Sequence, residues 1–403
     1  MSSSAIRSSS KTPLLVIAGS HGSLHWVLGT FYLLLPFIQQ SLGLTYTQTG
    51  ALASVVHLAS FAANVPSGVL VDLSGRRLLC QILSLVIAAL AIGCGSLVHD
   101  YWTVLVLAAL IASMNTLWHP AAISYLSSQY SEQRGLALSF HTVGASIGDA
   151  LAPLAIGTLI AIVGWKSAAL AGAGPPLIAA LVLGYFFGRR ANTGDADGHM
   201  RTTTGGLRGY WAGLRQVVGE TRLWFICALA GLRGTAQAGL RAFLPLYVVN
   251  ELGANAVWIG FVMLAFQGTG AFTTPVAGSL SDRYGRRPIL LVGLLIAGIA
   301  TLFLPMMTHP WSYTLLVALI GGSLFSLRPV IQGWALDITP RALGGSTISI
   351  LFGAQSGFAM AIPLLGGIIA DRYGLSAAFF AFGVAALLAA AVVVNMRDES
   401  TPR

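Results

Sequence analysis

Nine ionisable side chains lie inside long apolar runs of this 403-residue chain. A charged side chain at the centre of a bilayer costs about 2.5–3.5 kcal/mol even on insertion scales. Such residues therefore face a water-filled cavity or an ionic partner, which makes them candidates for ligand binding and proton transfer. They are His21, His25, His57, His119, His141, Asp149, Arg233, Arg241 and Arg328.

The two halves of the chain divide this chemistry between them. The embedded histidines and the embedded carboxylate, Asp149, come in the first half, and the three embedded arginines come in the second. Arginine stays protonated and offers a planar fork of donors that fits a carboxylate or a phosphate. Histidine and a buried carboxyl group can change charge near neutral pH. We therefore expect the second half to hold an anion and the first half to exchange protons.

Helical spacing groups these residues into faces. Arg233, Gln237 and Arg241 fall at i, i+4 and i+8, which places them along one side of a helix. The predicted substrate-binding residues are Arg233, Gln237, Arg241, Arg328, His119, Tyr32 and Gln332. The predicted proton-coupling residues are Asp149, His25, His21 and His141.

Structural roles are alternatives for several of these residues. Arg233 could bond a helix-end carbonyl, and Arg328 could form an ion pair with Asp337. The histidines could be buried packing residues. Asp149 is the hardest to explain by packing, because an unpaired carboxylate within a span is costly.

Composition identifies a membrane protein. Hydrophobic residues make up 55% of the chain and charged residues 9%, with a mean hydropathy of +0.77. Average soluble domains carry about 25% charged residues. Apolar runs of about 20 residues can cross the hydrocarbon. They predict twelve helices near 14–38, 47–71, 78–98, 102–126, 135–162, 167–187, 222–249, 256–280, 288–307, 311–336, 342–370 and 376–396.

A ten-residue motif occurs twice, first at Gly68 and again at Gly278. Its pattern is Gly-x-x-x-Asp-x-x-Gly-Arg-Arg, and each copy lies between apolar runs, which predicts a duplicated membrane bundle. Parallel repeats of this kind build transporters whose substrate site lies near the midplane. We expect the first glycine to permit close helix approach and the second a tight turn, while the charged residues latch one conformation. The latch residues are Gly68, Asp72, Gly75, Arg76, Gly278, Asp282, Gly285 and Arg286.

The predicted fold is all-α, with two pseudo-symmetric six-helix bundles over residues 1–187 and 222–403 and a cytoplasmic linker over 188–221. Lys166 and Arg372 are the positive residues expected on one side of the membrane, and the remaining positive loop residues fall on the other. The positive-inside rule then places both termini in the cytoplasm of a bacterial inner-membrane protein. This asymmetry accounts for the net charge of +9 without nucleic-acid binding. We expect a monomer surrounded by lipid.

The repeated motif resembles the hallmark loop of the major facilitator superfamily. The first half has a closer resemblance, since Ser20-His21, Trp118-His119-Pro120 and Gly148-x-x-Leu-x-Pro are similar to the fosmidomycin-resistance group of drug/proton antiporters. That resemblance implies proton-driven export of a small, often anionic compound. The chain departs from the group at His25, where an acidic residue is common, and at Asp149, where a small residue is common.

The sequence therefore predicts a secondary transporter that moves a small organic anion (a carboxylate, phosphate or phosphonate) by alternating access and proton-coupled export. Proton-coupled uptake of a metabolite anion would use the same residues, and a non-transporting membrane receptor is the remaining alternative. The HExxH motif of zinc enzymes is absent from the sequence. Cys80, Cys94 and Cys227 lack the spacing of a metal site, so we expect neither a metal nor a cofactor.

Overall fold

The computed structural model describes residues 12–130, 133–191, 215, 219–339 and 344–396, and these are almost entirely helical. Most of the predicted linker, both termini and Arg341 lie outside the described residues. Short 3-10 turns follow two of the helices, at Gly95–Leu97 and Leu304–Met306. The helices are α1 (Thr12–Leu42), α2 (Tyr46–Ser74), α3 (Arg77–Cys94), α4 (Tyr101–Gln129), α5 (Arg134–Gly172), α6 (Gly174–Ala191), α7 (Thr221–Asn250), α8 (Ala256–Tyr284), α9 (Arg286–Phe303), α10 (Pro310–Asp337), α11 (Gly344–Tyr373) and α12 (Leu375–Asn395).

Local sequence signals fix several helix ends. Thr45 and Gln48 form a capping box at the start of α2, in which each side chain accepts a hydrogen bond from the other residue's backbone N–H. The helix ends at Gly75, whose φ of 61° is the left-handed conformation that glycine adopts easily. Asp100 caps α4 by accepting hydrogen bonds from the Thr103 hydroxyl and backbone N–H, and these bonds lower the pKa of Asp100.

Ten segments of the described chain are long and apolar enough to cross a membrane, so this is a multi-pass membrane protein. One segment, Gly135–Gly188, contains both α5 and α6. Its helical path breaks at Gly164, where φ is 77° and ψ is 163°. Helix α7 is not among these ten segments because its charged residues, Arg222, Arg233 and Arg241, make it less apolar.

Helix packing follows the sequence repeat. In the first six helices α1 packs on α5, α2 on α4 and α3 on α6. In the last six helices α7 packs on α11, α8 on α10 and α9 on α12, which are the same pairs six helices later. The largest contacts between these two sets of helices are α2 with α11 and α5 with α8. We call the first set the N-half and the second the C-half.

The two halves are joined most closely at one end of the molecule. We call this the far end, and we call the end that carries Gly75 and Gly285 the loop end. At the far end, the Asp371 carboxylate accepts hydrogen bonds from the backbone N–H groups of Tyr46 (2.9 Å) and Thr47 (2.8 Å). Asn250 donates to Gln39 Oε1 at 2.8 Å in the same region.

Toward the loop end the equivalent helices are more exposed. Val65 on α2 and Phe272 on α8 have 76% and 81% of their surface accessible. The side chain of Arg328 on α10 is exposed as well. The described contacts between halves thus concentrate at the far end and in the middle of the helices.

Candidate functional site

Asp149, in the middle of α5, is the centre of the site. Its Oδ1 accepts a hydrogen bond from Arg241 Nη2 on α7 at 2.5 Å, and its Oδ2 lies 2.9 Å from His25 Nδ1 on α1. Its backbone oxygen accepts a hydrogen bond from Gln267 Nε2 on α8 at 2.8 Å. Position 149 is therefore held by three helices, two of them from the other half.

Close packing of α1 against α5 brings His25 within reach of Asp149. Gly148 lies directly against the backbone of α1, and a Cβ at this position would overlap the carbonyl oxygen of Gly22. Gly144 lies equally close to the carbonyl oxygen of Ala18. Small residues at such crossings let two backbones approach more closely than side chains allow.

Arg241 is bound on two sides. Its guanidinium carbon lies 4.7 Å from the ring centroid of Tyr32, a cation–π distance, and its Nη2 bonds Asp149. The side chains of Arg241 and Asp149 are 17% and 15% exposed, so water screens this ion pair little. Tyr32 is buried, and the face of its ring packs against the guanidinium. In this conformation Arg241 is neutralised by a carboxylate of the protein.

Arg233, predicted to bind substrate, is 1% exposed. Its Nη1 donates to Gln237 Oε1 at 2.6 Å and to the Leu324 backbone oxygen at 2.9 Å. The i, i+4 contact with Gln237 follows the predicted spacing. The bond to Leu324 ties α7 to α10 inside the C-half, and its acceptor is a carbonyl in the middle of α10 rather than the helix-end carbonyl of the structural alternative.

Arg328 is the predicted substrate residue with an accessible charge. Its guanidinium carbon lies 5.2 Å from the ring centroid of Phe352 on α11. Asp337, the alternative partner for Arg328, instead accepts a hydrogen bond from Arg286 at 3.2 Å. Gln332, one turn further along α10, is part-buried.

The remaining predicted residues form a cluster of imidazole rings beside Asp149. The rings of His21 and His141 stack with centroids 3.7 Å apart, and His21 Nδ1 lies 2.7 Å from the His141 backbone oxygen. His119 lies 5.1 Å from His21, edge to face, and its Nδ1 lies 2.7 Å from the Asn115 backbone oxygen. The structure thus brings His21, His25, His119 and His141 together from three helices of the N-half.

The second copy of the repeated motif forms a network at the loop end. Arg286 donates to Asp282 at 2.5 Å and to Asp337 at 3.2 Å, so it ties the end of α8 to the end of α10. Gly75 and Gly285 have positive φ values of 61° and 93°. The expectation of close helix approach at Gly68 and Gly278 does not hold in this conformation, because a Cβ at either position would meet no atom within 4 Å. The helices are apart where the glycines lie.

Besides Asp337, two residues whose side chains make these contacts were not among the predicted site residues. Gln267 and Phe352 lie in apolar runs and have no charge to attract attention. A lone glutamine within the apolar run of α8 was a weak signal for Gln267. The sequence contained no comparable signal for Phe352.

Curated relatives match only part of the chain. The Multidrug resistance protein MdtG of Yersinia enterocolitica is 33% identical over 187 residues, which are 44% of this chain and 44% of the relative. The MdtG of Escherichia fergusonii is 33% identical over 162 residues, 39% of this chain and 38% of that protein. Each match therefore spans less than half the length of the relative.

Solved structures share the fold along nearly the whole chain. A bacterial homolog of the human lysosomal transporter Spinster, inward-facing and occupied, has a TM-score of 0.80 at 16% identity, covering 95% of this chain and 96% of that one. The nucleoside transporter NupG has a TM-score of 0.77 at 14% identity, covering 95% and 99%. Identities this low establish the fold alone.

The family profile covers the chain much more fully. The profile of the Major Facilitator Superfamily matches residues 17–266 and 226–403, including both copies of the loop motif. The matched residues span both halves of the chain. The chain belongs to the Major Facilitator Superfamily.

Proposed function

We propose that this protein is a proton-coupled transporter of a small organic anion, and that the Asp149–Arg241 ion pair is its coupling element. The observation that carries the proposal is the position of that pair. One partner lies in the N-half and the other in the C-half, 2.5 Å apart. A change of charge at Asp149 therefore acts directly on the contact between the parts that move in alternating access.

The proposed architecture is twelve spans in two six-helix bundles, acting as a monomer. The segment Gly135–Gly188 supplies two crossings because it is broken at Gly164. Helix α7 supplies another, since Arg233 and Arg241 are both bonded inside the protein rather than facing lipid. The repetition of helix pairs after six helices supports the two bundles.

The proposed orientation places the loop end and both termini in the cytoplasm of a bacterial inner membrane. Arg76, Arg77, Arg286 and Arg287 lie at the loop end, in keeping with the positive-inside rule. The far end is closed by Asp371 and Asn250, and the loop end is the more exposed. In this orientation the conformation is inward-facing.

The proposed anion site lies between Arg328 and Arg241. Arg328 is exposed and Arg241 lies beside the buried carboxylate, so an anion entering from the loop end meets a free guanidinium first. Guanidinium forks bind carboxylates and phosphates through two parallel hydrogen bonds. The resemblance of the first half to the fosmidomycin-resistance group favours a phosphonate or similar anion. Arg233 positions α7 against α10 and does not contact substrate.

The ion pair also determines the sense of coupling. While Asp149 is ionised it occupies Arg241, and an anion cannot replace it without leaving a carboxylate unpaired. A proton on the Asp149 carboxylate removes its charge and frees Arg241 for the substrate anion. When the anion leaves, Arg241 returns to Asp149 and the proton is released. Because proton and anion bind together in this scheme, the geometry favours co-transport, which is uptake under an inward proton gradient.

Export is the second candidate function. It is favoured by the names of the relatives, which are multidrug resistance proteins, and by the resemblance of the first half to drug/proton antiporters. In an exporter, proton and substrate would occupy the site alternately rather than together. The direction of net transport under a proton gradient separates the two candidates.

Reconstitution in proteoliposomes tests the proposal. A panel of radiolabelled carboxylates, phosphates and phosphonates would first be screened by counterflow, which a non-transporting receptor cannot support. With a substrate in hand, an imposed proton gradient should drive accumulation by the wild-type protein. Asp149→Asn should abolish accumulation and retain exchange between equilibrated compartments, since it removes the proton site but leaves Arg241 available. Accumulation by Asp149→Asn with unchanged pH dependence would overturn the coupling role.

A further inference from the structure

Three histidines of the N-half lie close enough to act on one ligand. His21 on α1, His119 on α4 and His141 on α5 each offer a ring nitrogen, and these nitrogens all lie within 4.8 Å of one another. Consecutive members are 98 and 22 residues apart in the chain (119 − 21 and 141 − 119), so local spacing does not predict this arrangement. Packing of three helices produces it.

In two of these rings a hydrogen bond occupies Nδ1, which leaves Nε2 as the nitrogen that can bind a ligand. His21 Nδ1 lies 2.7 Å from the His141 backbone oxygen, and His119 Nδ1 lies 2.7 Å from the Asn115 backbone oxygen. A carbonyl oxygen accepts only, so each Nδ1 is assigned the proton when the ring is neutral. In both rings the Nε2 atom then carries a free lone pair.

Nitrogen atoms in this cluster are buried without a partner. His21 Nε2 and both ring nitrogens of His141 have no hydrogen-bond partner among the described residues. The side chains are inaccessible as well, since His21 is 3% and His141 is 4% exposed. Leaving a buried polar atom unsatisfied destabilises a protein, so a ligand that accepts these lone pairs would recover that loss.

Free imidazole lone pairs with backbone-bonded Nδ1 atoms are the arrangement that metal-binding histidines use. Such histidines usually donate their other ring N–H to a carbonyl or carboxylate, which fixes the ring. A tetrahedral zinc ion with nitrogens at about 2.0–2.1 Å needs those nitrogens roughly 3.3 Å apart. The three nitrogens lie within 4.8 Å of one another, and binding requires the stacked ring of His21 or His141 to turn so that the lone pairs converge.

We propose that His21, His119 and His141 form a binding site for a divalent transition-metal ion of the zinc class. Three imidazoles suit zinc, cobalt, nickel or copper, whereas magnesium and calcium require oxygen ligands. Three protein ligands leave a fourth position for a water, a hydroxide or a small anion. His25 lies 4.7 Å from His21 and bonds Asp149 through Nδ1. It does not belong to the group whose ring nitrogens all lie within 4.8 Å of one another, so it borders the site. The site goes beyond the proposed anion transport and does not depend on it.

Cobalt binding to the purified protein tests this site without any transport assay. The full chain would carry a purification tag that contains no histidine, and the probe would be Co²⁺ alone. We expect one Co²⁺ per chain, the visible absorption of a tetrahedral nitrogen site, and displacement by Zn²⁺. His21→Gln, His119→Gln and His141→Gln should each weaken binding at least about tenfold.

His57→Gln is the matched control. His57 is a part-buried histidine on α2 whose Nε2 also lacks a partner among the described residues, but it lies outside the cluster. This variant should bind cobalt like the wild type. Should one cluster variant misfold, the rise in melting temperature that Zn²⁺ produces in the wild type and in His57→Gln provides a second measure. No cobalt spectrum, a thiolate–cobalt band from the cysteines, or equal binding by all variants would overturn the proposal.

Discussion

The Asp149 carboxylate and the Arg241 guanidinium meet at 2.5 Å across the boundary between the two halves of the transporter. Asp149 lies on α5 of the N-half and Arg241 on α7 of the C-half, so the bond joins the two sets of helices. A carboxylate and a guanidinium with so little exposure are each costly to leave alone. Any conformation that separates α5 from α7 therefore has to supply a new partner or a proton.

Removing one member of this pair should destabilise the protein more than removing both. Arg241→Gln takes the guanidinium away from the Asp149 carboxylate and leaves the His25 contact in place. Removal of one member of a buried ion pair typically costs about 3–5 kcal/mol. The double variant Asp149→Asn with Arg241→Gln should recover most of that stability. Denaturant unfolding in detergent of the wild type, Arg241→Gln, Asp149→Asn and the double variant gives the coupling free energy between the two side chains. Strictly additive losses would show that the two side chains do not interact in solution.

Arg328 should bind substrate without contributing much to folding. We expect Arg328→Gln to lose about 2 kcal/mol or more of binding, which is about 30-fold in affinity, because an exposed guanidinium is lost from the anion site. Its melting temperature should stay close to that of the wild type. Arg283→Gln is the control, since Arg283 lies over Tyr284 at the loop end. Equal affinity in Arg328→Gln and Arg283→Gln would place the anion elsewhere.

The small residue at position 148 should be required for the site to form. In Gly148→Val the new side chain would overlap the Gly22 carbonyl and push α1 away from α5, taking His25 away from Asp149. The expected result is a low yield of folded protein in a fluorescence-detected gel-filtration assay.

Gly68→Val is the contrasting change on α2, where a Cβ has open space. It should fold normally in the conformation described above. If the two variants gave equal yields, close approach of α1 and α5 would not be needed for folding.

Asp371 should hold the far end closed. Asp371→Ala removes both acceptors for the backbone N–H groups of Tyr46 and Thr47 at the start of α2. A cysteine at buried Thr49, in a chain with its native cysteines replaced, reports opening through its reaction with a membrane-impermeant maleimide. Labelling from the far end should be several-fold faster in Asp371→Ala. Unchanged labelling would mean that other contacts determine closure.

The helical spacing of residues predicted contacts within one helix. It could not predict which side chains of different helices bond each other. The i, i+4 spacing of Arg233 and Gln237 corresponds to a 2.6 Å hydrogen bond. The partner of Arg241, however, lies 92 residues earlier in the chain. All three embedded arginines were predicted as anion ligands, because nothing in local sequence distinguishes a bonded guanidinium from an accessible one. The structure separates them as buried, paired and exposed.

The sequence predicted that the ionisable residues of the first half act together, but it did not predict how their side chains are arranged. His25 and Asp149 were predicted to act together in proton exchange, and they lie 2.9 Å apart. The stacking of His21 on His141 depends on how closely α1 approaches α5, which the glycines permit but do not specify. The membrane location followed from composition, and the duplicated loop followed from the repeated motif. Both are features of the whole chain, so they do not depend on exact helix boundaries.

The two hydrogen bonds that Asp371 accepts at the far end determine which mutations can open this end. Their donors are the backbone N–H groups of Tyr46 and Thr47, and almost every amino acid supplies the same donor. The side chains at 46 and 47 can therefore change without loss of these bonds, whereas a single codon change at 371 removes both. In a random-mutagenesis screen for variants that leak at this end, we expect hits at position 371 and, at positions 46 and 47, chiefly proline, which lacks the amide hydrogen.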